Sequence, residues 1–158
     1  MARSWFNSPE RVALLEFRAA KWIGTPFFSN GNTPGPRGGV SCQKLVAEVY
    51  RDVQFARREV TERVPSVAMS HGNFSSRDLV EEFMSELKTL FDRVVGPPFE
   101  VMAGDLIALR IGRVSHHLGI VLAKRIFIHA LPHAGVVLSS LDDGTYSSRL
   151  MAAWRPRP

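Results

Sequence analysis

The amino-acid sequence predicts an α+β architecture, and three observations carry that reading. Apolar residues in the first half recur at helical spacing, three or four apart. The second half breaks instead into short apolar or β-branched runs separated by turn residues. The two kinds of element follow one another rather than alternating, which argues against a parallel βαβ sheet. At 158 residues, with no internal repeat, the chain is read as one domain over 1–158, long enough to bury a core.

Ser8-Pro9-Glu10 opens the first helix with a capping serine, a proline at the first helical position and an acid in the first turn. Val12, Leu15, Phe17, Ala19 and Trp22 give it a broad side to bury, and Gly24-Thr25-Pro26 ends it. Phe27 to Val40 is a long loop crowded with Gly, Pro and Asn, a length more often functional than merely connecting. A second helix starts near Cys42 and runs to about Val53, with Leu45, Val46, Val49 and Tyr50 on its apolar side. Gln54 to Phe74 carries no clear period. Ser75 and Ser76 cap a third predicted helix bearing Leu79, Val80, Phe83, Leu87, Leu90 and Phe91, and Gly96-Pro97-Pro98 breaks it off. The runs Asp105 to Arg110, His117 to Ala123, Ile126 to Ala130, Val136 to Ser140 and Leu150 to Trp154 predict an antiparallel meander of about five strands.

The formal charge of +5 is spread along the whole chain, with Arg57-Arg58 and Lys124-Arg125 the only adjacent basic pairs. This is a solvated basic surface rather than a nucleic-acid footprint, and nothing shows the interleaved aromatics and basic residues of a single-strand binding groove. Met1 to Asn7 lacks the apolar run of a secretory signal, and no stretch reaches membrane-spanning length. The expected location is therefore cytoplasmic when made, with virion association or export by another route. The oligomeric state has no signature. A single cysteine excludes an internal disulfide and a multi-cysteine zinc site. A metal site built from His116, His117, His129 and His133 is disfavoured, because Pro132 precludes a helical pair and no carboxylate stands at a supporting spacing. No metal and no cofactor are expected.

That lone cysteine, Cys42, lies where the glycine-rich loop turns into the second helix. The first turn of a helix offers free N–H groups and the positive end of the dipole, both of which favour thiolate. The competing reading is a small apolar residue that simply packs. A nucleophilic cysteine needs a base, and the base needs an orienter. The candidates are His71, His116, His117, His129 and His133. His116 and His117 point to opposite faces of a strand. His117 and His129 are twelve residues apart on a predicted hairpin, and a turn centred near Ala123 makes them cross-strand neighbours on one face. That turn lacks the usual glycine or asparagine.

Five stretches in this order, Gly24-Thr25-Pro26-Phe27, Gly39-Val40-Ser41-Cys42-Gln43-Lys44-Leu45-Val46, Gly104-Asp105-Leu106-Ile107-Ala108-Leu109, His117-Leu118-Gly119-Ile120-Val121-Leu122 and Phe127-Ile128-His129-Ala130, resemble the NlpC family of cell-wall cysteine peptidases. The resemblance runs from about Ala20 to the end. The length and the Arg149 to Pro156 segment look most like the branch found among phage tail-associated proteins. The resemblance implies a papain-like fold in permuted order, with helices packed on an antiparallel sheet. It implies Cys42 as nucleophile, His117 as general base and His129 as the group that orients the base. The implied reaction is cleavage of a peptide amide in peptidoglycan stem peptides, commonly next to D-γ-glutamyl residues, through a Cys42 thioester.

Three departures stand out. The family commonly carries Asp-Cys-Ser-Gly where this chain has Ser41-Cys42-Gln43-Lys44. Phe27 falls where many members have a tyrosine thought to help hold the oxyanion, and a ring without a hydroxyl has no donor to offer. The loop into Cys42 is also longer than usual. Oxyanion or substrate contacts are then sought around Phe27, at Ser29, Asn30, Asn32 and Ser41, and at the Cys42 backbone N–H. The alternative reading is a binding or structural protein, for example a phage tail component, that keeps the fold without turnover.

Overall fold

A computed structural model describes residues 3–28, 31–62, 84, 87–111 and 114–158. His71 and most of the predicted third helix lie outside them.

Helix α1 spans Pro9–Ala20, and the Ser8 side chain accepts the Arg11 N–H at 3.2 Å as its cap. Its buried stripe is narrow, Leu15 and Ala19, with Trp22 buried just past its end. Phe17, predicted to be buried, is 72 % exposed on the outer side of the helix. The loop that follows folds back on itself through β1 (Asn32–Thr33) and β2 (Gly39–Val40), which pair antiparallel. Two glycines permit this. A Cβ on Gly38 would run into the Thr33 carbonyl, and one on Gly39 would lie 2.6 Å from the Phe28 Cβ.

Helix α2, Cys42–Asp52, is the central element. Cys42, Gln43, Leu45, Val46, Ala47, Val49 and Tyr50 are all buried, so the helix is covered on most of its circumference. It packs against α1 and across strands β5 (Val114–Val121) and β6 (Ile126–Leu131). The Tyr50 hydroxyl donates to the Gly104 carbonyl at 2.8 Å, tying the helix to the entry of strand β4 (Leu106–Ile111).

The main sheet has six antiparallel strands in the order β3-β8-β4-β5-β6-β7, where β3 is Phe91–Val94, β7 Gly135–Ser140 and β8 Leu150–Pro156. Four strands form the predicted meander. The fifth predicted strand, β8, does not extend it but returns to the other side of β4. The sixth strand begins at Phe91, which the sequence pattern had placed at the end of a helix. Leu90 closes a short 3-10 turn instead, and Phe91 pairs with Pro156. The segment Phe-Asp-Arg-Val lacks the alternation that marks a strand, because only its two ends are buried.

Strand alternation divides the core in two. Leu106, Ala108, Leu118, Ile120, Ile128, Ala130 and Trp154 face the helices. Ile107, Leu109, Val121, Phe127, Leu141 and Ala153 form a second layer on the other face, capped by Phe99, Val101 and Tyr146. Asp105 locks β4 to β8. Its side chain is fully buried and takes two bonds from Arg155, Nε to Oδ1 at 3.0 Å and Nη2 to Oδ2 at 2.7 Å, plus the Met102 N–H at 2.9 Å.

Candidate active site

Cys42 is the first residue of α2 because Ser41 caps the helix, its hydroxyl accepting the Lys44 N–H at 3.2 Å. Ser41 is itself buried, so its oxygen serves the helix end rather than an open cleft. Ser41→Ala should cost about 1 kcal/mol and lower the melting temperature by a few degrees, which differential scanning calorimetry would register.

The Cys42 sulfur is fully buried. Its thiol donates to the Gln43 Oε1 at 3.3 Å, and the backbone amides of Leu118, Gln43 and Cys42 itself turn towards it. The Leu118 contact joins α2 to β5. Pairing of β5 with β6 covers Gly119↔His129, Ile120↔Ile128 and Val121↔Phe127; one residue beyond, the Leu118 N–H faces the sulfur. Burial nevertheless pushes the thiol up to about 11, outweighing those amides. The helix terminus alone favours the thiolate. Desolvation is the larger effect, so the resting group is the neutral thiol.

The same segment carries His117. It is buried beside the Leu118 amide, and its Nε2 meets the His129 Nδ1 at 2.7 Å. The hairpin that brings the two together turns through Lys124 and Arg125, both at positive φ, in place of the glycine or asparagine usual there. Its register centres on Lys124, one residue later than expected. His129 therefore pairs with Gly119, and His117 reaches it on the diagonal. The even spacing still keeps both rings on one face.

His129 is fully buried, flanked by the rings of Phe127 at 4.5 Å and Tyr146 at 5.4 Å between centroids. Its Nε2 meets the Ser139 Oγ at 2.8 Å. Ser139 was not singled out in the sequence. The signal that would have found it is the register of β6 with β7, where His129 pairs with Val137 and Ser139 stands diagonal to it on the same face.

Burial lowers His129 from 6.5 to about 4. The unfolded chain therefore takes up a proton that the folded one refuses. The associated stability is intact above pH 6.5 and is lost as the pH falls towards 4. The loss should be on the order of 3 kcal/mol. Urea unfolding at about pH 7 and about pH 4.5 should show it, and His129→Asn should flatten the difference.

The other candidates sit differently. Phe27 bridges to Val40, two residues before the cysteine, and packs partly buried against the helix-side core. Asn32 pairs with Val40 but is exposed, whereas the sulfur is fully covered. Ser29 and Asn30 lie outside the described residues. His133 is exposed on the turn between β6 and β7. Among the described residues, no group of three or more His, Cys, Asp or Glu is arranged to hold a metal ion.

The profile of the NlpC/P60 family matches residues 24–155. The chain belongs to the NlpC/P60 family. The match takes in all of α2 and the six-stranded sheet except Pro156, the last residue of β8.

Relatives of this NlpC/P60 chain include a protein of Haemophilus influenzae named "Probable endopeptidase", 26 % identical over 148 residues, which are 92 % of this chain and 73 % of that protein. A protein of Escherichia coli named "Murein DD-endopeptidase MepS/Murein LD-carboxypeptidase" is 23 % identical over 137 residues, 86 % of this chain and 58 % of its own length. Among solved structures, an NLP/P60-family protein similar to lipoprotein from Staphylococcus aureus superposes with a TM-score of 0.62 at 20 % identity, covering 100 % of this chain and 45 % of that one. The NlpC/p60 domain of the peptidoglycan hydrolase SagA gives 0.55 at 21 % identity, covering 90 % and 96 %. These structural likenesses establish the permuted papain-like α+β fold. No helix among the described residues is long and apolar enough to cross a membrane.

Proposed function

We propose that this NlpC/P60 chain is a cysteine peptidase that hydrolyses a peptide amide in peptidoglycan stem peptides through a thioester on Cys42. The observation that carries the reading is the convergence on β5 of the Cys42 sulfur, at the Leu118 amide, and the His117–His129 pair, one residue along the strand. The sulfur opens α2 against the Leu118 amide, His117 is the next residue, and His117 and His129 share a bond of 2.7 Å. The endopeptidase names of the Haemophilus influenzae and Escherichia coli relatives supply the substrate class.

In this mechanism His117 spends Nε2 on His129, so Nδ1 is the nitrogen that takes the thiol proton. The sulfur attacks the amide carbonyl, and the backbone N–H of Cys42 is the donor assigned here to the developing oxyanion. The C–N bond then breaks, and His117 returns its proton to the departing amine. Water, deprotonated by His117, attacks the thioester. The acyl product leaves as a carboxylic acid, and the thiol is restored. Because the resting thiol is pushed up to about 11, proton transfer to His117 accompanies substrate engagement rather than preceding it.

A second reading, a binding or structural protein such as a phage tail component, is favoured by two observations. Phe27 offers no oxyanion donor, and the sulfur is completely buried. Purified murein and defined stem peptides incubated with the wild-type protein and with Cys42→Ala separate the two. The peptidase reading predicts a new amine and a new carboxylate with the wild type alone. Binding of intact stems by both proteins, with no cleavage by either, would favour the second.

A further inference from the structure

Two buried imidazoles in direct contact present a proton-placement problem. A neutral histidine carries one N–H, and which nitrogen holds it follows from what the other one meets. Here the contacts form a line: His117 Nε2 to His129 Nδ1 at 2.7 Å, then His129 Nε2 to Ser139 Oγ at 2.8 Å. We propose that Ser139 is a positioning residue for the candidate active site, accepting the His129 Nε2–H and thereby holding both histidines in the tautomer that lets His117 act as a base. The proposal rests on the roles of Cys42, His117 and His129 argued above.

Proton placement is set outward from the sulfur. To take the thiol proton, His117 must hold a lone pair on Nδ1, so its own proton sits on Nε2. That proton points at His129 Nδ1, which must then be the acceptor. His129 stays neutral because its ring is buried, so its single proton falls to Nε2. Nε2–H in turn needs an acceptor, and at 2.8 Å stands the hydroxyl of Ser139. With the hydroxyl gone, His129 loses the acceptor that favours this form. Its proton can then move to Nδ1 and donate to His117 Nε2, which drives the His117 proton onto Nδ1. That is the nitrogen needed for the thiol. Geometry survives while proton placement is wrong, a defect that costs a hydrolytic triad far more than its small structural footprint suggests.

The position makes the idea testable. Ser139 is half-buried on β7 opposite Phe127, and small β-branched residues suit a strand position of this kind. Threonine and valine have nearly the same shape and differ by the hydroxyl. In protein labelled with 15N at histidine, the wild type and Ser139→Thr should show the His129 proton on Nε2 and a pyridine-type Nδ1. Ser139→Val should move the proton, wholly or in part, to Nδ1, and Ser139→Ala should do the same with a smaller side chain. Against stem peptides, Ser139→Val should lower kcat by about 10- to 100-fold with KM within about twofold, and Ser139→Thr should restore it. A wild-type His129 protonated on Nδ1 would overturn the proposal, as would a Ser139→Val protein with the ring pattern and kcat of Ser139→Thr. If the wild type cuts no stem peptide, the functional reading fails, yet the nitrogen spectra still decide the role of Ser139.

Discussion

Replacing Cys42 with alanine is expected to abolish cleavage of peptidoglycan stem peptides, lowering kcat by roughly 10⁴-fold or more. The substitution removes the only sulfur nucleophile in the chain and leaves the fold largely intact, since alanine is a good helix former and the position is already small. Circular dichroism and melting should therefore stay close to wild type while product release, followed by mass spectrometry, disappears. His117→Ala should cost a comparable amount, and the double variant little more than either single one, because the two groups act as a unit. Residual turnover by Cys42→Ala close to that of the wild type would place the chemistry elsewhere.

The largest effect on stability is expected at Asp105. Its carboxylate is fully buried and engaged by the Arg155 fork and the Met102 N–H. Burial raises its pKa, and Arg155 works against that rise. Asp105→Ala removes the charge partner of Arg155, whose side chain is only 11 % exposed, and leaves its guanidinium with the Glu100 carbonyl alone, at 2.9 Å. Such a broken pair costs about 3–5 kcal/mol. For a chain of this size that is a fall of roughly 10 °C in melting temperature. Calorimetry should show it, and the pair Asp105→Leu with Arg155→Met should recover much of the loss, because the charge would leave with its partner. The consequence extends beyond the β4–β8 pair. Asp105 follows Gly104, whose carbonyl holds the Tyr50 hydroxyl at 2.8 Å, so the same corner helps seat the helix that begins with Cys42.

Much of this arrangement was legible in the residues. Ser8-Pro9 marks the start of α1 correctly, because a cap is a local signal that depends on few neighbours, and the apolar spacing after Cys42 marks α2, whereas the capping role of Ser41 emerges only in the structure. The even spacing of His117 and His129 places them on one face whatever the detail of the turn. What the sequence left open depends on distant pairing. Strand β3 carries no period of its own and is a strand only because β8 lies beside it. The hairpin turn uses Lys124 and Arg125 at positive φ, where composition gives no warning, so its centre shifted by one residue. The chemical state of Cys42 depends on distant packing in the same way. A helix terminus is visible in a sequence, but the burial that overrules it is assembled from α2, β5 and the loop through Phe27. Ser139 escaped notice because a serine in a strand is unremarkable until its register with β6 is known.

The placement of β8 bears on how the molecule is assembled. Of the strands in the main sheet it is the last to be synthesised, yet it sits between β3 and β4, at contour distances of about sixty and about forty residues. The hairpins from β4 to β7 can zip from neighbouring residues as they emerge, whereas β3 has no partner until Leu150–Pro156 arrives. Such late, non-local closure exposes unsatisfied strand edges on β3 and β4 during synthesis, and those edges are the sites where intermolecular pairing competes with folding. Arg155 and Arg157, in the same closing segment, bring counter-charges to Asp105 and Asp92. The final strand thus neutralises two acids as it docks, and completing the sheet and discharging its edge are one event.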